Sequence, residues 1–175
     1  HRDLHSFPTR RSSDLSSLTI DRLDLLADRH SSAFLTLLDH YAQDPMGGGH
    51  PLKPEARNHL VERLRERTDF VGFIAFHGQQ PCGLINCFEG FSTFAARPLL
   101  NIHDIVVLRE LRGQGIARKL LAAAADEARR RNCCKLTLEV LSNNTAALRT
   151  YQQAGFAPYQ LDPAAGQALF MQCPL

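Results

Sequence analysis

The sequence predicts a mixed α/β domain whose central sheet is mostly antiparallel and flanked by helices. Three observations predict it. The middle of the chain holds three consecutive apolar runs, "FVGFIAF", "CGLINCFEGFSTF" and "LLNIHDIVVL", the first two joined through the short turn "HGQQP", which together read as a strand meander. Next comes "GIARKLLAAAADEARRRN", rich in Ala and Leu and therefore helical. Beyond it, "CKLTLEVL" alternates as a further strand before a second helical stretch.

Each element has its own signal. "SSLTIDRL" alternates polar and apolar residues as a first strand. Ala33, Leu37 and Tyr41, flanked by Phe34 and Leu38, recur at helical spacing until "DPMGGGHP" breaks the pattern. Pro54 suits the first turn of a second helix carrying Leu60, Val61 and Leu64. After the meander, the long helix sets Ile116, Leu120, Ala124 and Ala128 on one face, with three successive arginines near its C-terminal end, where positive charge suits the helix dipole. "NNTAALRTYQQAG" is a helix ended by Gly155, and "FAPYQL" and "QALFMQC" around "DPAAG" predict a closing hairpin. The order is β-α-α-β-β-β-α-β-α-β-β.

Residues 1–15, "HRDLHSFPTRRSSDL", are set aside, because one back-translation of them resembles a sequencing-library adapter; the alternative is a disordered basic tail. Their "HRDL" is not a kinase catalytic loop: the Asn required five residues after Asp3 is Pro8, and neither a glycine-rich phosphate loop nor Asp-Phe-Gly accompanies it. The domain is expected to occupy residues 16–175, long enough for one full core.

The net charge of +2 falls to +1 without residues 1–15, which gives no reason to expect a nucleic acid or membrane partner. No apolar run approaches the length that spans a bilayer. Five cysteines, odd in number and without a Cys-x-x-Cys pair, suit a reducing cytoplasm and predict neither a disulfide framework nor a metal site.

The chemistry concentrates in "NIHDIVVLRELRGQGIARKLL". A strand, a turn with two glycines and a helix N-terminus aim several backbone N–H groups at one point, which suits a phosphate or pyrophosphate. Gly113 and Gly115 have no Cβ to keep such a ligand away. A Walker loop needs Lys-Ser/Thr where Ile116-Ala117 stand, and a dinucleotide fingerprint needs a third glycine where Arg118 stands. Neither fits.

Arg112-x-x-Gly115-x-Ala117 resembles the Arg/Gln-x-x-Gly-x-Gly/Ala signature of the Gcn5-related N-acetyltransferase superfamily. "LEVLSNNTAALRTYQQAGF" resembles that family's strand, Asn-bearing loop, helix and terminal Gly-Phe, with Asn144, Tyr151, Gly155 and Phe156 in the matching places. The resemblance covers residues 16–175 and implies the acyl-CoA N-acyltransferase fold and transfer of an acetyl group from acetyl-CoA to an amine, with no metal. It further implies that backbone amides of Arg112, Gly113, Gln114, Gly115, Ile116 and Ala117 hold the pyrophosphate, and that the strand of Ile105, Val106 and Val107 pairs with the pantetheine arm. Asn144 would bind that arm or cap its helix, and Tyr151 would protonate the departing thiolate. The partner would be a small-molecule or peptide amine, and the protein a monomer or homodimer.

An alkyl amine has a pKa near ~10, so only about one molecule in a thousand carries a free lone pair at pH 7 and a base is needed. His103, Asp104 and, on the preceding strand, Glu89 are the candidates; strict alternation would put His103 on the face of Ile105 and Val107 and Asp104 on the other. The adjacent Cys133 and Cys134 have no neighbouring His to activate them, so direct attack in a ternary complex is expected. Two alternatives stand beside the enzyme: a non-catalytic CoA-binding module, and an RNA-binding surface made by "RELRGQGIARK" and "EARRRN".

Overall fold

A computed structural model describes residues 17–159, 162, 164, 166 and 168–174. The elements are β1 (Leu18–Arg22), α1 (Asp28–Gln43), α2 (Pro54–Arg65), β2 (Phe70–His77), β3 (Gln80–Ser92), β4 (Arg97–Val107), α3 (Ile116–Arg130), β5 (Leu136–Leu138) and α4 (Thr145–Gln153). They form one five-stranded sheet in the order β1-β2-β3-β4-β5, in which only β4 and β5 are parallel. The mixed, mostly antiparallel sheet expected from the meander is present. Among the described residues, no helix is long and apolar enough to cross a membrane.

Each face of the sheet carries a core. On one, Ile116, Leu120, Leu121, Ala124 and Ala128 of α3 pack on Ile85, Cys87, Leu100, Ile102 and Val107. Small residues let α3 lie close: a Cβ on Gly83 would stand 3.1 Å from both the Ile116 and Leu120 side chains. On the other face, Phe34, Leu37 and Leu38 of α1 and Leu64 of α2 cover Ile74, Phe76, Leu84 and Val106. Burial of these side chains, at about 1.5–3 kcal/mol each, drives the assembly.

Two departures from the sequence reading shape the site. In the first, β3 pairs with β4 from Gly83 opposite Val107 to Asn86 opposite Asp104, then resumes with Cys87 opposite Ile102. His103 is therefore an extra residue, a β-bulge, and such bulges bend their strand and increase its local twist. Pairing of β4 with β5 spans only Leu100 to Ile102, and ends at the residue before the bulge. The expected strand Cys134–Leu141 is thus reduced to Leu136–Leu138.

In the second, the closing hairpin is not formed among the described residues. Phe156–Tyr159 and residues 168–174 carry no strand, and Leu169, Phe170 and Met171 are exposed, while Gln160, Leu161 and Gln167 lie outside the described residues. A three-residue β5 offers few edge groups to a further strand, and Pro158 has no N–H to donate. The adapter-like residues 1–15 also lie outside the described residues.

Candidate active site

Because β5 leaves β4 after Ile102 while β3 stays paired as far as Val107, no strand among the described residues pairs with the β5-facing edge of residues 103–107. At about 3.3 Å per residue this edge runs for roughly 17 Å. Its side chains are engaged in the fold: Ile105 and Val107 face α3, and Val106 faces α1. What the edge offers a ligand is main chain. The gap between β4 and β5 forms a wedge that begins after Ile102, and beyond β5 the chain runs from Glu139 to α4.

That loop turns through a 3-10 turn at Arg109–Leu111 and enters α3 at Gly115. Gly113 and Gly115 both have φ of +79°, the left-handed region that L side chains rarely adopt, and a Cβ on Gly113 would meet nothing within 4 Å. Gly115 is the N-cap and no side chain caps the helix, so the first-turn N–H groups of Ile116, Ala117 and Arg118 lack intrahelical acceptors and point out of the helix end. The positive end of the helix dipole lies there too. Charge, donors and missing Cβ atoms suit a diphosphate.

The Arg112 side chain is 47% exposed yet tied to two neighbours. Its Nε donates to the Val107 carbonyl at 3.1 Å and its Nη2 to Asp44 at 2.9 Å. Asp44 follows the last turn of α1, only 11% exposed at its side chain, and Arg109 approaches it at 3.7 Å. The backbone N–H of Met46 and the Arg112 guanidinium hold its carboxyl below the usual range. Arg112 therefore ties the glycine loop to the α1–α2 loop, leaving backbone to meet a ligand.

The bulge corrects the expected placement of His103 and leaves Asp104 on the face expected of it. Asp104 accepts a hydrogen bond from Asn86 Nδ2 at 3.1 Å, and Asn86 alternates with the α3-facing Ile85 and Cys87, so both look toward α1. His103 does not share the face of Ile105 and Val107: its ring meets Phe88 edge-on at 5.2 Å, and its Nδ1 lies 3.0 Å from Asn101 Oδ1. His103 is exposed, Asp104 half-buried. Glu89 belongs elsewhere. It accepts from Arg131 Nη1 at 2.8 Å, and Arg131 in turn pairs with Glu127 on α3, so its carboxylate is held on the opposite face from Asp104.

Tyr151 on α4 is half-buried, with its ring centroid 6.0 Å from that of Phe156. Burial, and then the charge of Tyr41, push its hydroxyl up to about 12, and it makes no hydrogen bond to a described residue. Tyr41 on α1 is itself raised by burial and by the charges of Asp104 and Asp44. Tyr41 thus lies within electrostatic reach of Asp44, Asp104 and Tyr151. Asn144 caps α4, its Oδ1 accepting from the Ala147 N–H at 3.2 Å. Cys133 is raised by burial and by Glu89, a setting that suppresses thiolate.

The arginine run at the end of α3 is engaged with carboxylates: Arg129 with Asp126, Arg130 with Glu127, and Arg131 with Glu127 and Glu89. Among the described residues, no three His, Cys, Asp or Glu side chains group as a metal site would require. Sequence reasoning missed Tyr41, Asp44 and Asn86. In the sequence Tyr41 fits an apolar helix position and Asp44 a turn, while the signal for Asn86 is its amide in the apolar run "GLINCF".

Streptothricin acetyltransferase of Streptomyces lavendulae is 40% identical to this chain over 95 residues, covering 50% of each. The chain spans about half the length of the curated relatives it matches. A crystal structure of a probable acetyltransferase superposes with a TM-score of 0.74 at 22% identity, over 89% of this chain and 98% of that one. An aminoglycoside N-acetyltransferase solved in complex with CoA gives 0.70 at 18% identity, over 95% of this chain and 99% of that one. The family model for GNAT acetyltransferases matches residues 31–156, which include the bulged strand, the glycine loop and Tyr151, and the chain belongs to the acetyltransferase (GNAT) family.

Proposed function

We propose that the protein transfers an acetyl group from acetyl-CoA to a primary amine by direct attack within a ternary complex. The observation that carries this is the wedge between β4 and β5, opening at the bulge and leading to the glycine loop at the N-terminus of α3. A thioester on a long arm with a diphosphate tail matches that shape and charge. The N–H groups from Arg112 to Ala117 would hold the diphosphate, and the open edge of Ile105, Val106 and Val107 would pair with the arm as an added strand does. A β4 amide near Val107 would stabilise the oxyanion that forms when the amine attacks the carbonyl. Asn144, through the amide nitrogen its cap leaves over, would contact the arm.

The acceptor enters from the α1 face, where Asp104 receives its proton and His103 stands further out. Tyr151 meets the departing sulfur. Complete proton transfer from a hydroxyl near 12 to a thiolate of ordinary pKa, about 8.5, would run uphill by roughly 5 kcal/mol, so its role is to donate a hydrogen bond to the developing charge. The test is thiol release from acetyl-CoA across a panel of primary amines. Amine-dependent release, abolished in a Gly115→Val variant, is expected; saturable CoA binding with no release for any amine would instead make the chain a binding module.

A further inference from the structure

We infer that Asn86 is a positioning residue, which holds the Asp104 carboxylate in the orientation that receives the acceptor's proton and does so at a cost to the stability of the fold. The inference rests on the acetyl-transfer reading above and assigns a second polar group to its acceptor side.

Asn86 lies in the middle of β3, 3% exposed, between Ile85 and Cys87, both fully buried. Buried polar or charged side chains are few among the described residues, and Glu127 is the other one. The two contrast. Three arginines satisfy Glu127, whereas Asn86 makes one side-chain hydrogen bond, from Nδ2 to Asp104 Oδ2 at 3.1 Å. Its Oδ1 is buried with no partner, the one such side-chain atom among the described residues. An orphaned amide oxygen costs about 1–3 kcal/mol, which a hydrocarbon side chain in the same place would avoid. Stability therefore does not account for an asparagine here.

What the amide does is fix Asp104. That residue follows the bulge directly, where the strand bends and the ladder is locally interrupted. Donation from Asn86 occupies Oδ2 and leaves Oδ1 for the incoming N–H. The reverse amide orientation would set Oδ1 against a carboxylate, so an ionised Asp104 selects the orientation seen. Groups within electrostatic reach of Asp104 are Tyr41 from α1 and Cys87 from β3, with His103 adjacent on β4. Of its neighbours, Asn86 donates to its carboxylate, and a base must be held within hydrogen-bond reach of the proton it takes.

The test is a double-mutant cycle of Asn86→Leu and Asp104→Asn in the full chain, read by thermal denaturation, CoA titration and amine-dependent thiol release. Asn86→Leu should keep or raise the melting temperature and leave the CoA Kd unchanged. It should lower kcat for the amine by about 10-fold to 100-fold while leaving the KM for acetyl-CoA unchanged, a split that a loss of fold would not give. In the Asp104→Asn background the same substitution should have almost no further effect. If leucine does not fit, Asn86→Ala gives the same cycle, with the stability comparison dropped. An unchanged kcat, or equal losses in both backgrounds, would overturn the inference while leaving acetyl transfer intact. Wild-type protein that binds CoA but turns over no amine would overturn both.

Discussion

Tyr151 shows what a single residue can reveal in sequence and what it cannot. Its helical position and the Gly-Phe after it were legible as a resemblance, but its protonation depends on burial and on Tyr41, a residue more than a hundred positions away on α1. With the hydroxyl at about 12, no alkaline limb of the rate profile below about pH 10 should come from Tyr151. Tyr151→Phe should lower kcat by about 100-fold, within the range for losing one hydrogen-bond donor to a developing negative charge, with the KM for acetyl-CoA nearly unchanged. Burst and steady-state thiol release would check it; an unaltered kcat would remove Tyr151 from the mechanism. His103 and Asp104 show the opposite case. Both were visible as candidates, and alternation gives the face of Asp104 but not that of His103, because strict alternation fails at a bulge and no local residue type announces one.

At the scale of elements, the glycine loop was the most legible part of the site. Gly113 and Gly115 were selected for closeness of approach, and both adopt the left-handed conformation that makes it possible. Gly115→Val should cost about 1–2 kcal/mol of stability from the backbone alone and weaken CoA binding by more than about tenfold, since the added side chain stands at the N-cap. Thermal melts and calorimetry separate the two effects. Less legible was the tie from Arg112 to Asp44, which joins segments far apart in sequence. Asp44→Ala should raise the KM for acetyl-CoA by about tenfold, the worth of a charge-assisted hydrogen bond, with α1 itself intact by circular dichroism. A KM that did not move would show that the glycine loop holds its shape unaided.

Across the whole molecule, apolar patterning together with helix-start and helix-stop residues revealed α1 to α4 and β1 to β4. It overextended β5 and supplied a closing hairpin, since alternation in "CKLTLEVL" and "QALFMQC" signals strand propensity without saying whether a neighbouring edge is available. Nor could it show the ionic cluster that joins β1 to the end of α3, where Arg22, Arg130 and Arg131 surround Glu127. Hydrogen bonds from Arg130, Arg131 and Arg22 depress the Glu127 carboxyl from 4.5 to about 2. A depressed carboxyl stabilises the fold fully above its unfolded value and less as pH falls, so this contribution is present above about pH 4.5 and lost toward about 2. Glu127→Gln should destabilise by about 3 kcal/mol at pH 7, and by much less at pH 3, as read from urea melts. An equal loss at both pH values would contradict that assignment. In the proposed reading, main-chain donors in the glycine loop and along the open β4 edge grip an acyl-CoA. Calorimetric titration of the wild-type chain with CoA tests it most directly: saturable binding at one site per chain, lost in Gly115→Val, is the predicted result, and a folded wild-type protein giving no saturable heat would contradict it.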